Sequence, residues 1–157
     1  MTHTHEAPDR DRALNDAERR CAEAGEALTP LRRRVLELLL DQPGPAKAYD
    51  LLALLDVGQD ADKAPAKPPT IYRALEFLVR LGLAHRIESL NAFVACDIGA
   101  CARSTIFLIC DGCGAAIEFD AGHALVDLRE AAAKDGFQIR RTMIEAGGLC
   151  RQCAAAA

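Results

Sequence analysis

Apolar residues return at helical spacing through the first half of the chain. Leu31, Val35, Leu38 and Leu39 share one side of a helix and leave Arg32, Arg33 and Glu37 on the other. Thr29 before Pro30 is a helix start, a hydroxyl N-cap followed by proline at the first helical position. Asp41-Gln42-Pro43-Gly44-Pro45 ends that helix. Upstream, Asp11 to Ala27 is rich in Ala, Glu and Arg and reads as a polar-faced helix behind a disordered tip. Downstream, a short helix runs from about Lys47 to Leu55 and residues 56–67 are loop-like. Pro68-Pro69 then opens a helix over Thr70–Leu81 that Gly82 ends. Ala84–Glu88 and Ala92–Cys96 alternate around Ser89-Leu90-Asn91, which predicts a hairpin. Three helices and a hairpin in this order make a winged helix-turn-helix.

The second half has strand texture: Thr105–Cys110, Ala115–Phe119 and Phe137–Ile144, with an amphipathic helix over Gly122–Lys134. Strand, strand, helix, strand predicts a small α+β module. The fold class is therefore α+β, with a first domain over 1–90, a second over 97–157 and a hinge at about 89–97. The closing Ala154–Ala157 is too short to add an element.

Composition changes this picture little. Half of the 157 residues are hydrophobic and only 4% aromatic, so the core is built of Leu, Val, Ile and Ala. The net charge of −4 carries no nucleic-acid signature, so any DNA contact must rest on local charge. No apolar run approaches the ~20 residues of a membrane span, and Met1–Arg12 is polar with no export signal. These features lead to the expectation of a cytoplasmic protein with no membrane partner. Phosphate loops, Cys–His–Asp arrangements and paired catalytic carboxylates are missing, so the chain is not expected to be an enzyme.

Seven cysteines change it more. In a cytoplasmic chain they are expected as thiolates or metal ligands rather than disulfides. Cys110-Asp111-Gly112-Cys113 and Cys150-Arg151-Gln152-Cys153 are two CxxC knuckles 36 residues apart. Two such turns complete a tetrahedron around Zn²⁺ with bonds of about 2.3 Å. Four thiolates leave no open position, so the site is structural. Spacing alone does not separate zinc from an iron–sulfur cluster, whereas a redox CxxC leaves the second knuckle unexplained.

The residues from about Cys21 to Cys153 resemble the ferric uptake regulator (Fur) family, most closely its zinc uptake branch. The specific stretches are Leu28-Thr29-Pro30, Ala48-Tyr49-Asp50-Leu51-Leu52, Lys67-Pro68-Pro69-Thr70-Ile71-Tyr72-Arg73-Ala74-Leu75 and the two CxxC pairs. His85 with Glu88-Ser89, and Ile144-Glu145-Ala146 ahead of Gly148-Leu149-Cys150, are also characteristic. The resemblance implies a winged-helix DNA-binding domain, an α+β dimerisation domain and a metal-gated hinge. It implies a homodimeric, zinc-responsive repressor of zinc uptake genes that binds a pseudo-palindromic double-stranded operator. Regulators of another metal or of peroxide, and a CxxC redox protein, are the alternatives.

Pattern alone makes Thr70–Leu81 an ordinary amphipathic helix, with Ile71, Ala74, Leu75, Leu78 and Leu81 inward and Tyr72, Glu76 and Arg80 outward. The resemblance makes it the reading helix. Tyr72 and Arg73 are then its DNA contacts, Thr70 and Lys67 hold phosphate at its start, and Tyr49 contributes from the preceding helix. Arg86 in the wing adds a phosphate contact, while Arg32, Arg33 and Arg34 form a solvated face.

The resemblance further assigns a second, regulatory zinc to His85, Cys96 and Glu118, giving about two zinc ions per chain. The fourth ligand departs from the family. Relatives carry a His seven residues before the first knuckle, where this chain has Arg103. Cys101 is the substitute expected here, with Asp97, His123 or a water as alternatives. A soft thiolate suits zinc better than Fe²⁺ or Mn²⁺. Cys21 reads as a packing residue, and His3 and His5 as part of a disordered tail.

Overall fold

The computed structural model describes residues 10–57, 67–96, 104–120, 125–140 and 142–156. It divides into two compact units, Met1–Ile98 and Gly99–Ala157.

The first unit opens with helices α1 (Arg10–Glu23), α2 (Pro30–Leu40), α3 (Ala48–Val57) and α4 (Pro68–Arg80). Strands β1 (Ala84–Ile87) and β2 (Ala92–Ala95) follow. The α2 start is the one its sequence announces: Thr29 Oγ1 accepts from Arg32 N at 3.4 Å, with Pro30 at the first helical position. This satisfies one of the amide groups a helix start leaves unpaired. The apolar stripes of all four helices meet in one core around Val35, Leu51, Leu75 and Leu78, none of them measurably exposed. Removing such side chains from water is worth roughly 1.5–3 kcal/mol each. Phe77, a position of α4 not assigned to either face from the sequence, is also buried at 3% exposure.

Strands β1 and β2 pair antiparallel, His85 opposite Val94, with Asn91 at φ +47° in the turn. Asn tolerates the left-handed conformation better than most residues. Ala46 and Phe93 exchange both backbone hydrogen bonds at 2.8 Å, docking the chain ahead of α3 onto the hairpin.

The charged face of α2 remains solvent-facing and carries ion pairs. Arg33 pairs with Glu18 and Glu37, and Arg34 with Glu37. The Arg32 guanidinium lies 3.5 Å from the centre of the Phe77 ring, a cation–π contact. Arg10 adds ion pairs to Glu37 and Asp41 that tie α1 to α2.

The second unit contains β3 (Ser104–Cys110), β4 (Ala116–Asp120), α5 (Val126–Lys134), β5 (Thr142–Gly148) and α6 (Arg151–Ala155). Its sheet has the order β4-β3-β5, with β4 antiparallel and β5 parallel to β3. Two expectations need correction. The last strand lies at Thr142–Gly148 rather than Phe137–Ile144, because β3 is seven residues long and its register pairs Ser104 with Thr142 and Cys110 with Gly148. Residues 137–140 therefore have no ladder partner among the described residues, and Phe137 is 66% exposed despite its alternating surroundings. The tail also adds the short helix α6, whose N-cap is Cys150. Among the described residues, no helix is long and apolar enough to cross a membrane.

Candidate metal centres and DNA-reading surface

The register of the second unit brings the two knuckles together. The first knuckle is the β3–β4 connection, beginning at Cys110. Parallel pairing sets Gly148, the last residue of β5, beside Cys110, so the chain delivers Cys150 to the same end of the sheet. Asp111 N donates to Gly148 O at 2.8 Å and prolongs the pairing into the knuckle. Helix α6 then turns Cys153 back, its amide donating to Cys150 Sγ at 3.5 Å. All four sulfurs lie within 4.8 Å of one another, with Cys113 Sγ 3.9 Å from Cys150 Sγ. A tetrahedron with bonds of about 2.3 Å has ligand separations of about 3.8 Å.

The electrostatics fit a cation at the centre. The Cys150 amide donates to Cys110 Sγ at 3.2 Å. That amide, followed by the amides of Cys113 and Gly112, draws the Cys110 thiol down to about 6. Crowding by the Cys150, Cys110 and Cys113 sulfurs pushes Cys153 up to about 12. Cys113 is also raised: the Ala115 amide lowers it, but the Cys110 and Cys150 sulfurs outweigh that. Several thiolates cannot share so small a space without a positive ion, which is the condition a divalent metal removes.

Gly112 has a role beyond a permissive turn. A Cβ built there would lie 2.9 Å from Cys153 Sγ and 3.0 Å from Cys153 Cβ. The two knuckles approach each other through the space its missing side chain leaves.

Of the residues assigned to the second zinc, His85 on β1 and Cys96 just after β2 come together in the first unit. A ring nitrogen of His85 lies within 4.8 Å of Cys96 Sγ, and both residues are buried, at 9% and 3% exposure. Cys96 N donates to Leu83 O at 3.0 Å, closing the open end of the hairpin. Cys96 is disulfide-bonded, contrary to the expectation of thiolates throughout, so it can bind a metal only after reduction. The five cysteines at 21, 110, 113, 150 and 153 are thiols. Cys21 is fully buried in the helical core, where burial raises its thiol, in keeping with a packing role. Glu118 belongs to β4 of the second unit, paired across from Phe107 and half-buried. Cys101, Asp97 and His123 lie outside the described residues, as do His3 and His5.

The surface assigned to DNA is open at one side of α4. Arg73 and Lys67 are exposed, Thr70 and Tyr72 half-buried, and Tyr49 at the start of α3 is 64% exposed. The Tyr49 and Tyr72 rings meet edge to face, 6.4 Å between centres at 82°, so the two helix starts form one aromatic ledge. Arg80, at the far end of α4, stays exposed and pairs with Glu26 at 2.7 Å. In the wing, Arg86 pairs with Glu88 at 3.2 Å and its guanidinium donates to Asn91 Oδ1 at 3.4 Å.

Residues 23–146 match the Ferric uptake regulator family. The chain belongs to this family. Among its curated members, the zinc uptake regulation protein of Escherichia coli (strain K12) is 43% identical over 141 residues, covering 89% of this chain and 80% of that protein. A zinc uptake regulator solved in complex with zinc and DNA is 40% identical, with a TM-score of 0.84, covering 94% of this chain and 97% of that one. The holo form of XcZur is 41% identical at a TM-score of 0.79, covering 92% and 99%. The α+β architecture and a non-enzymatic regulator of the Fur family follow from these likenesses. The match extends through the wing and most of the second unit, beyond the helix-turn-helix that many unrelated regulators share.

Proposed function

We propose that the chain is a zinc-responsive transcriptional repressor that binds a pseudo-palindromic operator as a homodimer and controls zinc uptake genes. The observation that carries this reading is the proximity of His85 to the buried sulfur of Cys96, a thiolate ligand once reduced, on the hairpin that leaves helix α4. Imidazole and thiolate together suit Zn²⁺ better than Fe²⁺ or Mn²⁺. Likeness to zinc uptake regulators, one of them solved with zinc and DNA, supports the same choice.

The proposed division of labour follows the two units, with Met1–Ile98 as the DNA-binding domain and Gly99–Ala157 as the dimerisation domain, so the boundary falls a few residues after the 90–97 expected from sequence. Cys110, Cys113, Cys150 and Cys153 hold a structural zinc that closes the second unit. The exposed Val126 and Leu128 of α5, a helix with no buried residue, and the exposed Leu108, Ile117 and Phe119 of the sheet supply an apolar surface for a second copy. His85, Cys96, Cys101 and Glu118 hold the regulatory zinc, giving about two ions per chain. A metal bound by both units restricts the connection between them, and it favours whichever arrangement binds it better. Arg73 reads a base edge, Tyr49 and Tyr72 contact thymine methyl or backbone, and Lys67 and Thr70 hold phosphate. Such a protein works in the cytoplasm, beside the DNA it reads.

The test is an operator-binding titration of the reduced protein across Zn²⁺, Fe²⁺, Mn²⁺ and Ni²⁺, each at fixed free-ion concentration. Tight operator binding at the lowest free concentrations of Zn²⁺ supports the reading. Preference for Fe²⁺ or Mn²⁺ would move the chain to another branch of the family.

A further inference from the structure

The α4–β1 junction joins three parts of the first unit. Leu83 N donates to Leu78 O at 2.8 Å and Gly82 N to Val79 O at 3.0 Å, so the turn is bonded to the last turn of α4. Leu83 O accepts from Cys96 N, so the same turn is bonded to a proposed metal ligand. Gly82 itself has φ +68°, a conformation that leaves its carbonyl pointing away from the helix it ends.

That carbonyl is taken by α1. Arg20 Nη1 donates to Gly82 O at 3.3 Å. The guanidinium is ion-paired with Asp16, whose Oδ2 lies 2.7 Å from Arg20 Nε without hydrogen-bond geometry and whose side chain is only 8% exposed. A buried carboxylate is costly unless it is paired, and Asp16 is paired twice, with Arg20 and with Arg19. Arg20 and Cys96 also line one small cavity, together with Leu36, Leu40 and Leu83. The chain therefore maintains a buried charge on α1 whose effect is to fix one backbone carbonyl between the reading helix and the hairpin.

We infer that Arg20, oriented by Asp16, is a positioning residue that couples metal binding at His85 and Cys96 to the orientation of α4. The inference rests on the zinc-responsive DNA binding proposed above. A pull on Cys96 acts on Leu83 through their hydrogen bond. If the turn is loose, the displacement is absorbed by rotation about Gly82, the residue with the greatest conformational freedom. With Gly82 O clamped, the turn moves as one piece with the end of α4. A coupling of this kind is a difference in free energy between two ligands' binding, and it is reciprocal.

Two variants separate coupling from stability. Arg20→Ala removes the clamp while Asp16 keeps Arg19, so no bare buried charge remains. Arg20→Lys retains a cation beside Asp16, but one ammonium cannot reproduce the spread of a guanidinium that meets both Asp16 and Gly82 O. The full-length, reduced proteins are compared in operator affinity with and without Zn²⁺, in melting temperature, and in amide exchange at Leu83 and Cys96 without added metal. Both variants should lose about tenfold of the zinc-dependent gain in operator affinity, the scale of one charge-assisted hydrogen bond. Exchange at Leu83 and Cys96 should quicken in both, while Arg20→Lys keeps the wild-type melting temperature. An unchanged zinc-dependent gain in Arg20→Lys together with wild-type exchange at the turn would overturn the inference. A wild-type protein whose operator affinity ignores zinc would instead overturn the proposed function, and the inference with it.

Discussion

Gly112→Ala tests the geometry of the cysteine quartet with the addition of one methyl group. The new carbon would lie 2.9 Å from Cys153 Sγ and 3.0 Å from Cys153 Cβ. Unstrained heavy-atom contacts sit at about 3.5–4.0 Å, so the knuckles must separate by several tenths of an ångström or more. Metal–ligand distances tolerate about ±0.2 Å, so that movement comes out of the coordination shell. Overpacking of this kind costs roughly 1–3 kcal/mol. If the cost falls wholly on the metal-bound state, zinc affinity at the quartet drops about 5- to 150-fold. Gly148→Ala is the control, since a Cβ there meets nothing within 4 Å. Competition against a chelator measures both variants on the same scale. Equal zinc affinity in Gly112→Ala and wild type would refute the argument, because the close approach would then not exist with metal bound.

Cys150→Ser removes a metal ligand and the sulfur that caps α6, so the second unit should lose its zinc and unfold. Structural zinc contributes on the order of 10 kcal/mol, and a cooperatively melting, zinc-loaded Cys150→Ser protein would contradict the structural role. Zinc uptake by metal-free protein at pH 7.5 should release a proton from Cys113 and from Cys153, which are raised, but little from Cys110, which at about 6 is already ionised. Lowering the pH through about 6 protonates Cys110 as well and should steepen the loss of zinc affinity; calorimetry in buffers of different ionisation enthalpy measures both, and full proton release from Cys110 at pH 7.5 would count against its depressed thiol. Arg73→Ala should weaken specific operator binding by ~1–3 kcal/mol while sparing most nonspecific binding. Equal losses on operator and random DNA would reduce Arg73 to a phosphate contact.

What the sequence disclosed depended on how local the cause was. Thr29-Pro30 and Gly82 mark helix ends through their own backbone chemistry, and those ends lie where the pattern puts them. The CxxC pairs are local too, but their meeting is not. It depends on β5 running parallel to β3 in a register that sets Gly148 beside Cys110. The alternation of Phe137 to Ile144 carried no information on that partner, so the strand was expected too early. Asp16 and Arg20 look like any i,i+4 pair on a charged helix. Only tertiary structure shows that Asp16 is buried and that Arg20 reaches a carbonyl 62 residues away. Phe77 was left out of the apolar face for a related reason: part of its cover is the Arg32 guanidinium, a contact that a hydrophobic pattern does not register. His85, Cys96 and Glu118 carry no spacing signal of their own, and only resemblance to a family made them candidates.

The central claim, a second zinc whose binding governs DNA affinity, is tested most directly by measuring zinc content and operator affinity together. Wild type, His85→Ala and Cys101→Ser are compared as reduced, folded proteins. The account predicts about two zinc ions per chain and tight operator binding for wild type. Both variants should keep the quartet's single zinc and lose high-affinity operator binding. Wild-type zinc content with undiminished zinc-dependent operator binding in His85→Ala would contradict it, and the same result in Cys101→Ser alone would move the fourth ligand to Asp97, His123 or a water.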